Sequence, residues 1–273
     1  MNPKKILFIT QEICPYLPET QQSTTCRNLP QLIQEKGHEI RTFMPKFGSI
    51  NERRNQLHEV IRLSGMNLII DETDHSLIIK VASIQAARMQ VYFIDNEDYF
   101  SSRETTVDEN GVEYEDNDER SIFFIRGVME TIKKLKWVPD IIHCHGWMSA
   151  LAPLYIKKGY GDDPSFINSK VIYSLYDDKF EKPFREGTAD KLRFETIDDG
   201  VIERVKERGT MDYETLTKLA IDYSDGIIQG DENISEEILN YVKEKDIPYL
   251  PVDTDFEAYV DKINDFYKKK INA

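Results

Sequence analysis

The chain has 273 residues, of which 40% are hydrophobic and 31% charged, and it carries a net charge of −14. That length can bury a sizeable core, the composition is that of a globular rather than a disordered chain, and the negative field argues against nucleic acids and anionic membranes as partners. Cys14, Cys26 and Cys144 are too few and too scattered for a disulfide framework or a zinc knuckle. No apolar run reaches the length of a membrane span. Met1-Asn2-Pro3-Lys4-Lys5 leads into a strand without an apolar leader, so a cytoplasmic location is expected.

Lys5-Ile6-Leu7-Phe8-Ile9-Thr10 reads as a buried strand. An irregular stretch with Pro15 and Pro18 comes next, and Ser23, Thr24 or Thr25 is expected to cap a helix running to Lys36. Glu39 to Met44 is the second strand, which completes a βαβ unit with a right-handed crossover. Val60–Leu63, Asn67–Ile70, Ser76–Val81 and Gln90–Ile94 read as a small antiparallel excursion. The acidic, aliphatic-poor stretch from Asp95 to Glu119 is expected to be a mobile, solvated surface loop. Ile122, Ile125, Val128, Met129, Ile132 and Leu135 then lie at helical spacing.

The stretch from Asp140 to Pro153 organises the remainder. A short apolar strand ends in His143-Cys144-His145 and Gly146, succeeded by a helix to about Lys158. In an open parallel sheet the carboxyl ends of strands are where ligands sit. We expect His143 and His145 to face opposite sides of this strand, one in the core and one at the crevice rim, which argues against a shared metal. Lys170–Leu175 and Asp225–Gln229 are further strands. Between them lie a charged flap of short helices, Tyr176 to Arg208, and a helix, Tyr213–Tyr223. Ser235–Lys245 is a helix, Asp246–Leu250 an edge segment, and Phe256–Ile271 a terminal amphipathic helix. Strands alternate with helices throughout, so the expected fold is one Rossmann-like three-layer α/β domain with a mainly parallel sheet.

Several segments together resemble the N-terminal domain of bacterial glycogen and plant starch synthases, glucosyltransferases of the GT-B type. They are Asp116-Asn117-Asp118-Glu119-Arg120 with Phe123, Phe124 and Arg126; Pro139 to Trp147; Leu151 to Tyr155; Val91 to Asp95 with Tyr99-Phe100; Gln11-Glu12 with Pro15; Gly37 to Pro45; and Leu219 to Asp225. The resemblance covers most of residues 4 to about 240. It implies a GT-B N-terminal half, ADP-glucose chemistry, and a last helix that crosses back onto this half, here residues 252 to 273.

The departures from the family's pattern bear on activity. Where the family carries Lys-Thr-Gly-Gly-Leu, this chain reads Pro18-Glu19-Thr20-Gln21-Gln22. Glycine amides and a lysine suit a phosphate, whereas Pro18 offers no N–H and Glu19 has the wrong sign. The family's His-Asp-Trp-His reads His145-Gly146-Trp147-Met148 here, which removes a carboxylate and an imidazole. Its His-Asn reads Tyr176-Asp177 here. The second nucleotide-binding domain of the family has no counterpart in these residues.

The candidate ligand crevice is therefore Glu12, Thr20, Gln21, Asp116, His145, Gly146, Trp147, Met148, Tyr176 and Asp177. No catalytic residue, metal or cofactor is assigned. The reading is a catalytically degenerate glycogen-synthase-like domain that binds a protein partner, a second copy of itself, or a sugar or sugar nucleotide. One alternative is an ADP-glucose-dependent α-1,4-glucan synthase completed by a second chain. Another is an unrelated enzyme using Glu12, Asp177 or Asp178 as acid or base.

Overall fold

Six residues with five apolar or β-branched side chains make the first strand, β1 (Lys5–Thr10), buried on both faces. The structure, a computed structural model, describes residues 3–271. Alternate β1 side chains serve two different cores. Leu7 and Ile9 join a large cluster on one face, while Ile6 and Phe8 join a smaller one on the other.

Helix α1 (Gln21–Glu35) returns the chain to β2 (Glu39–Pro45), which lies parallel to β1. The helix starts earlier than its hydroxyl run suggests. Thr20 is the N-cap, and Thr20 and Ser23 form a reciprocal capping box, so Ser23 is already inside the helix.

The excursion then runs through β3 (His58–Glu59), β4 (Met66–Ile70), β5 (Thr73–Ile84) and β6 (Met89–Asp95). Strand β6 is parallel to β2, while β5 is antiparallel to β6, β4 and β3. Val60–Leu63, expected as a strand, is a turn; Val60 bonds Ile79 and then the chain folds back.

Helix α2 (Asn117–Leu135) packs over β6, and Gly127 permits the approach. A Cβ there would lie 2.9 Å from a methyl carbon of Ile94. Strand β7 (Ile141–His145) inserts beside β1 on the side away from β2. The segment after β7 is not the single helix to Lys158 that was expected. It is a 3-10 turn (Trp147–Ser149), the single turn α3 (Ala152–Leu154), and a wider turn to Gly159.

Strand β8 (Lys170–Leu175) leads into a flap carrying α4 (Thr188–Lys191) and α5 (Asp199–Lys206). Helix α6 (Tyr213–Asp222), β9 (Gly226–Gln229), α7 (Glu236–Glu244), β10 (Tyr249–Leu250) and α8 (Phe256–Ile271) complete the chain. The strand order is β10-β9-β8-β7-β1-β2-β6-β5-β3, with β4 on β5. The sheet is parallel from β10 to β6, with helices over both faces.

Helix α8 crosses back over the β1–β7 side. Tyr259, Val260, Ile263, Phe266 and Tyr267 pack with Ile6, Phe8, Ile141, Ile172 and residues of α1. Burying side chains of this size stabilises the fold by about 1.5–3 kcal/mol each. Polar contacts fix the register: Lys36 pairs with Asp261, and His38 Nε2 lies 2.9 Å from Asn264 Oδ1. Residues 272 and 273 of the expected terminal segment lie outside the described residues.

Glu104, Glu109 and Glu115 of the acidic loop are exposed, as expected, but the end of the loop is anchored in the core. Arg120 on α2 is wholly buried and donates to the Tyr99 and Thr105 carbonyls at 2.7 and 2.6 Å and to Asn117 at 2.6 Å. It lies against the Phe100 and Tyr114 rings. Burial pulls its guanidinium down to about 10. Asp118 is also fully buried, held by Arg185 and Lys191 of the flap at 2.9 Å each. Charge count predicted solvation; the cations that overturn it lie 67 residues or more away in the chain.

Candidate functional site

The chain leaves β1 toward β2 and β6, then returns to the other side of β1 with β7. The sheet therefore changes direction between β1 and β7, and a crevice opens beyond their carboxyl ends. Four strand ends feed it: Gln11-Glu12 after β1, Trp147 after β7, Tyr176 to Phe180 after β8, and Asp231 beyond β9. The first turn of α1 and part of the acidic loop close its sides, leaving a cleft of about 350 Å³.

Six of the ten residues expected at the crevice line this cleft: Glu12, Thr20, Gln21, Trp147, Tyr176 and Asp177. The Gln21 side-chain amide donates to the Gly230 carbonyl at 3.0 Å, which ties α1 to the end of β9. The other four do not line it. Asp116 precedes α2 and pairs with Arg103 at 3.1 Å. Met148 is fully buried, so its side chain is core and only its backbone N–H reaches the polar floor.

His145 is also buried, and it lies on the same face of β7 as His143. Residues two apart on a strand share a face, and the two rings are 3.9 Å apart. The expected opposite orientation is therefore wrong. His143 is bracketed by Tyr267 Oη and Ser174 Oγ, both at 2.6 Å, and His145 Nδ1 is 2.9 Å from Tyr176 Oη. Burial lowers both imidazoles, His145 to about 3, so both are neutral. Among the described residues no three His, Cys, Asp or Glu side chains converge on a metal position.

Gly146 explains the altered strand-end motif. Its φ is +82°, which favours glycine. A Cβ there would stand 2.2 Å from Gln22 Nε2 and 2.7 Å from Gln11 Oε1. The two glutamine side chains occupy the space an acidic side chain at this position would need. Gln11 is fixed by the Met148 N–H at 3.1 Å, and buried Gln22 Nε2 has no partner.

The charged groups of the cleft are mostly acids. Among the described residues Glu12, Glu113, Asp177, Asp178 and Asp231 line it, against the single cation Lys179. The Glu12 carboxylate accepts from the Thr20 hydroxyl, so the chain's own anion sits beside the α1 N-terminus. Burial raises Glu12 above the usual carboxylate range, although Thr20 and the Ser23 amide pull it back. Asp178 accepts from the Trp147 N–H at 2.9 Å and the Tyr213 hydroxyl at 3.2 Å. Burial still pushes it up to about 7, and the nearby Glu12 charge adds to the rise.

Residue type singles out Asp178 only as a general acid or base. Glu113, Thr106 and Val107 come from the acidic loop, and only their packing brings them here. Cys26 is sealed under Tyr176, and burial raises its thiol well above the ordinary range, so it is no nucleophile.

A doubly wound sheet with a polar cleft at its switch point places the chain among open α/β domains, whose ligands sit at that point. The family model described as the starch synthase catalytic domain matches residues 5–247, and the chain belongs to that family. It is similar to the glycogen synthase of Chlorobium luteolum, with 32% identity over 240 residues, covering 86% of this chain and 48% of that protein. The glycogen synthase of Chlorobium limicola is 36% identical over 173 residues, 63% of this chain and 35% of that one.

The fold matches the catalytic domain of starch synthase IV from Arabidopsis thaliana bound to ADP and acarbose. The TM-score is 0.71 at 16% identity, over 92% of this chain and 51% of that one. The chain thus spans about half the length of the curated relatives it matches. Among the described residues no helix is long and apolar enough to cross a membrane.

Proposed function

We propose that this glycogen-synthase-like glycosyltransferase domain acts by binding rather than by transfer, and that its cleft takes an uncharged sugar. The observation that carries this is the charge of the cleft: five carboxylates face one lysine, and Glu12 stands at the helix end that would otherwise attract a phosphate. A diphosphate entering there meets like charge. A sugar hydroxyl meets what it needs, namely carboxylates, the Gln21 amide and the Thr20 hydroxyl. The edges of Trp147 and Phe180 supply an apolar side.

The test is calorimetric titration of the purified chain with maltoheptaose and with ADP-glucose, alongside a radiolabelled glucose-incorporation assay. Binding of maltoheptaose, lost in Asp178→Ala, with neither binding nor turnover of ADP-glucose, supports the reading. Saturable ADP-glucose binding in the cleft, or glucose incorporation by the chain alone, overturns it.

A second reading is favoured by the span of the match, half or less of each curated relative compared. In it the chain is one part of an ADP-glucose-dependent glucan synthase and gains activity when another polypeptide completes the donor site. Glucose incorporation that appears only on adding such a polypeptide separates it from the first.

A further inference from the structure

The opposite end of the sheet holds a second concavity that shares no residue with the cleft. At the amino ends of β9 and β10 a groove of about 760 Å³ is walled by the ends of α5, α6 and α7 and the turn after α3. Its charged residues are Lys158, Arg204, Arg208 and Lys245 against Asp222 and Asp225. On a chain of net charge −14 this is a local reversal of sign.

The two carboxylates are already saturated. Asp222 pairs with Arg208, with Lys245 at 2.9 Å, and accepts the Tyr241 hydroxyl at 2.9 and 3.0 Å. Burial pushes its carboxyl up, but these partners outweigh that and hold it below the usual range. Asp225 pairs with Lys157 at 2.6 Å and accepts the Val171 N–H at 2.7 Å. Among the described residues Lys158 and Arg204 make no ion pair, so both keep their full charge for a ligand. Arg208 spends one of its N–H groups on Asp222 and retains others. Ile221, Ile247 and Pro248 are the apolar part of the groove's floor.

We propose that this groove binds a small phosphorylated metabolite, with Arg204, Lys158 and Arg208 on the phosphate and the apolar floor under its organic part. Guanidinium donors from α5 and the turn after it, with an ammonium from the turn after α3, suit a compact dianionic head. The volume falls within the range of small-molecule sites. The acidic surface of the rest of the chain repels extended polyanions, which selects a small ligand over nucleic acid.

The test uses inorganic phosphate and glycerol 3-phosphate as probes, at fixed ionic strength set with chloride, read by calorimetry and by amide NMR shifts. The inference is supported by saturable binding with shifts centred on residues 204–208 and 222–225. It also requires at least a tenfold loss of affinity in the double variant Lys158→Gln, Arg204→Gln. Both side chains are exposed and without ion pairs, so this variant is expected to fold and melt as the parent does. Asp178→Asn in the cleft should leave phosphate affinity unchanged, so this result is independent of the sugar reading above. No saturable binding, equal binding by the double variant, or shifts confined to the cleft would overturn it.

Discussion

Two sets of buried or half-buried carboxylates lie within this one domain, and they are treated in opposite ways. On α2, Asp118 and Glu119 meet Arg185 and Lys191 in a four-residue ion cluster, at 2.5–2.9 Å, with Thr188 and Tyr99 hydroxyls filling the remaining positions. Burial pushes Glu119 up, but Lys191, Tyr99 and Arg185 more than reverse it. In the cleft, Glu12 and Asp178 have hydroxyl and amide partners but, among the described residues, no cation, and both are raised. The first set fastens the flap to the core. The second leaves acceptor groups facing a cavity, as the proposed sugar site requires.

The largest effect is expected from breaking the joint. Asp118→Ala strands Arg185 and Lys191 against Glu119 alone and should cost about 3–5 kcal/mol, read by urea unfolding. Proteolysis should then begin within residues 177–210. A variant that unfolds like the parent would show that the cluster is not what holds the flap.

The histidine pair should set the acid limit of stability. The folded chain keeps both neutral, whereas the unfolded chain protonates them below about pH 6.5. Stability contributed by the pair is therefore present above that pH and lost as pH falls. The slope is at most about 1.4 kcal/mol per pH unit for each histidine. Tyr267→Phe, which removes the hydroxyl beside His143, should cost about 1–3 kcal/mol at neutral pH.

Asp178 titrates with the opposite sign. Its folded value is about 7, above the unfolded carboxylate, so its contribution is present at acid pH and lost as pH rises toward 7. Compared with the parent, Asp178→Asn should be relatively more stable at pH 8 than at pH 4, by about 1–2 kcal/mol after allowing for partial exposure. A parent-minus-variant difference that does not change with pH would show that burial does not raise Asp178. The smallest effect is Glu12→Gln, expected to change stability by less than about 1 kcal/mol. It should weaken maltoheptaose binding severalfold while leaving the unfolding midpoint of the flap in place.

Much of the fold and part of the cleft are legible in the sequence, and the differences have specific causes. Thr20 replaces Ser23 as the cap because Ser23 completes the box from inside the helix, which a run of hydroxyl residues does not reveal. Val60–Leu63 has strand-like residues but turns, because β5 pairs with His58–Glu59. The two histidines share a face by the ordinary period of a strand, so their spacing alone carries the correct orientation. Met148 stands where the family's motif has a polar group, yet burial rather than chemistry explains it.

The sequence by itself determined the alternation of strands and helices, the mainly parallel sheet, a crevice at the carboxyl end of the strand that ends in His145, and the family. These come from local apolar runs, turn residues and motif order, each read within a few neighbouring positions. Only the tertiary structure decided which charges are paired. Asp118 finds its cations in the flap, Asp178 finds none among the described residues, and Gln11 and Gln22 fill the space above Gly146. Charge pairing and burial depend on residues dozens of positions apart, so composition counts the carboxylates but cannot say which of them face a partner and which face a cavity.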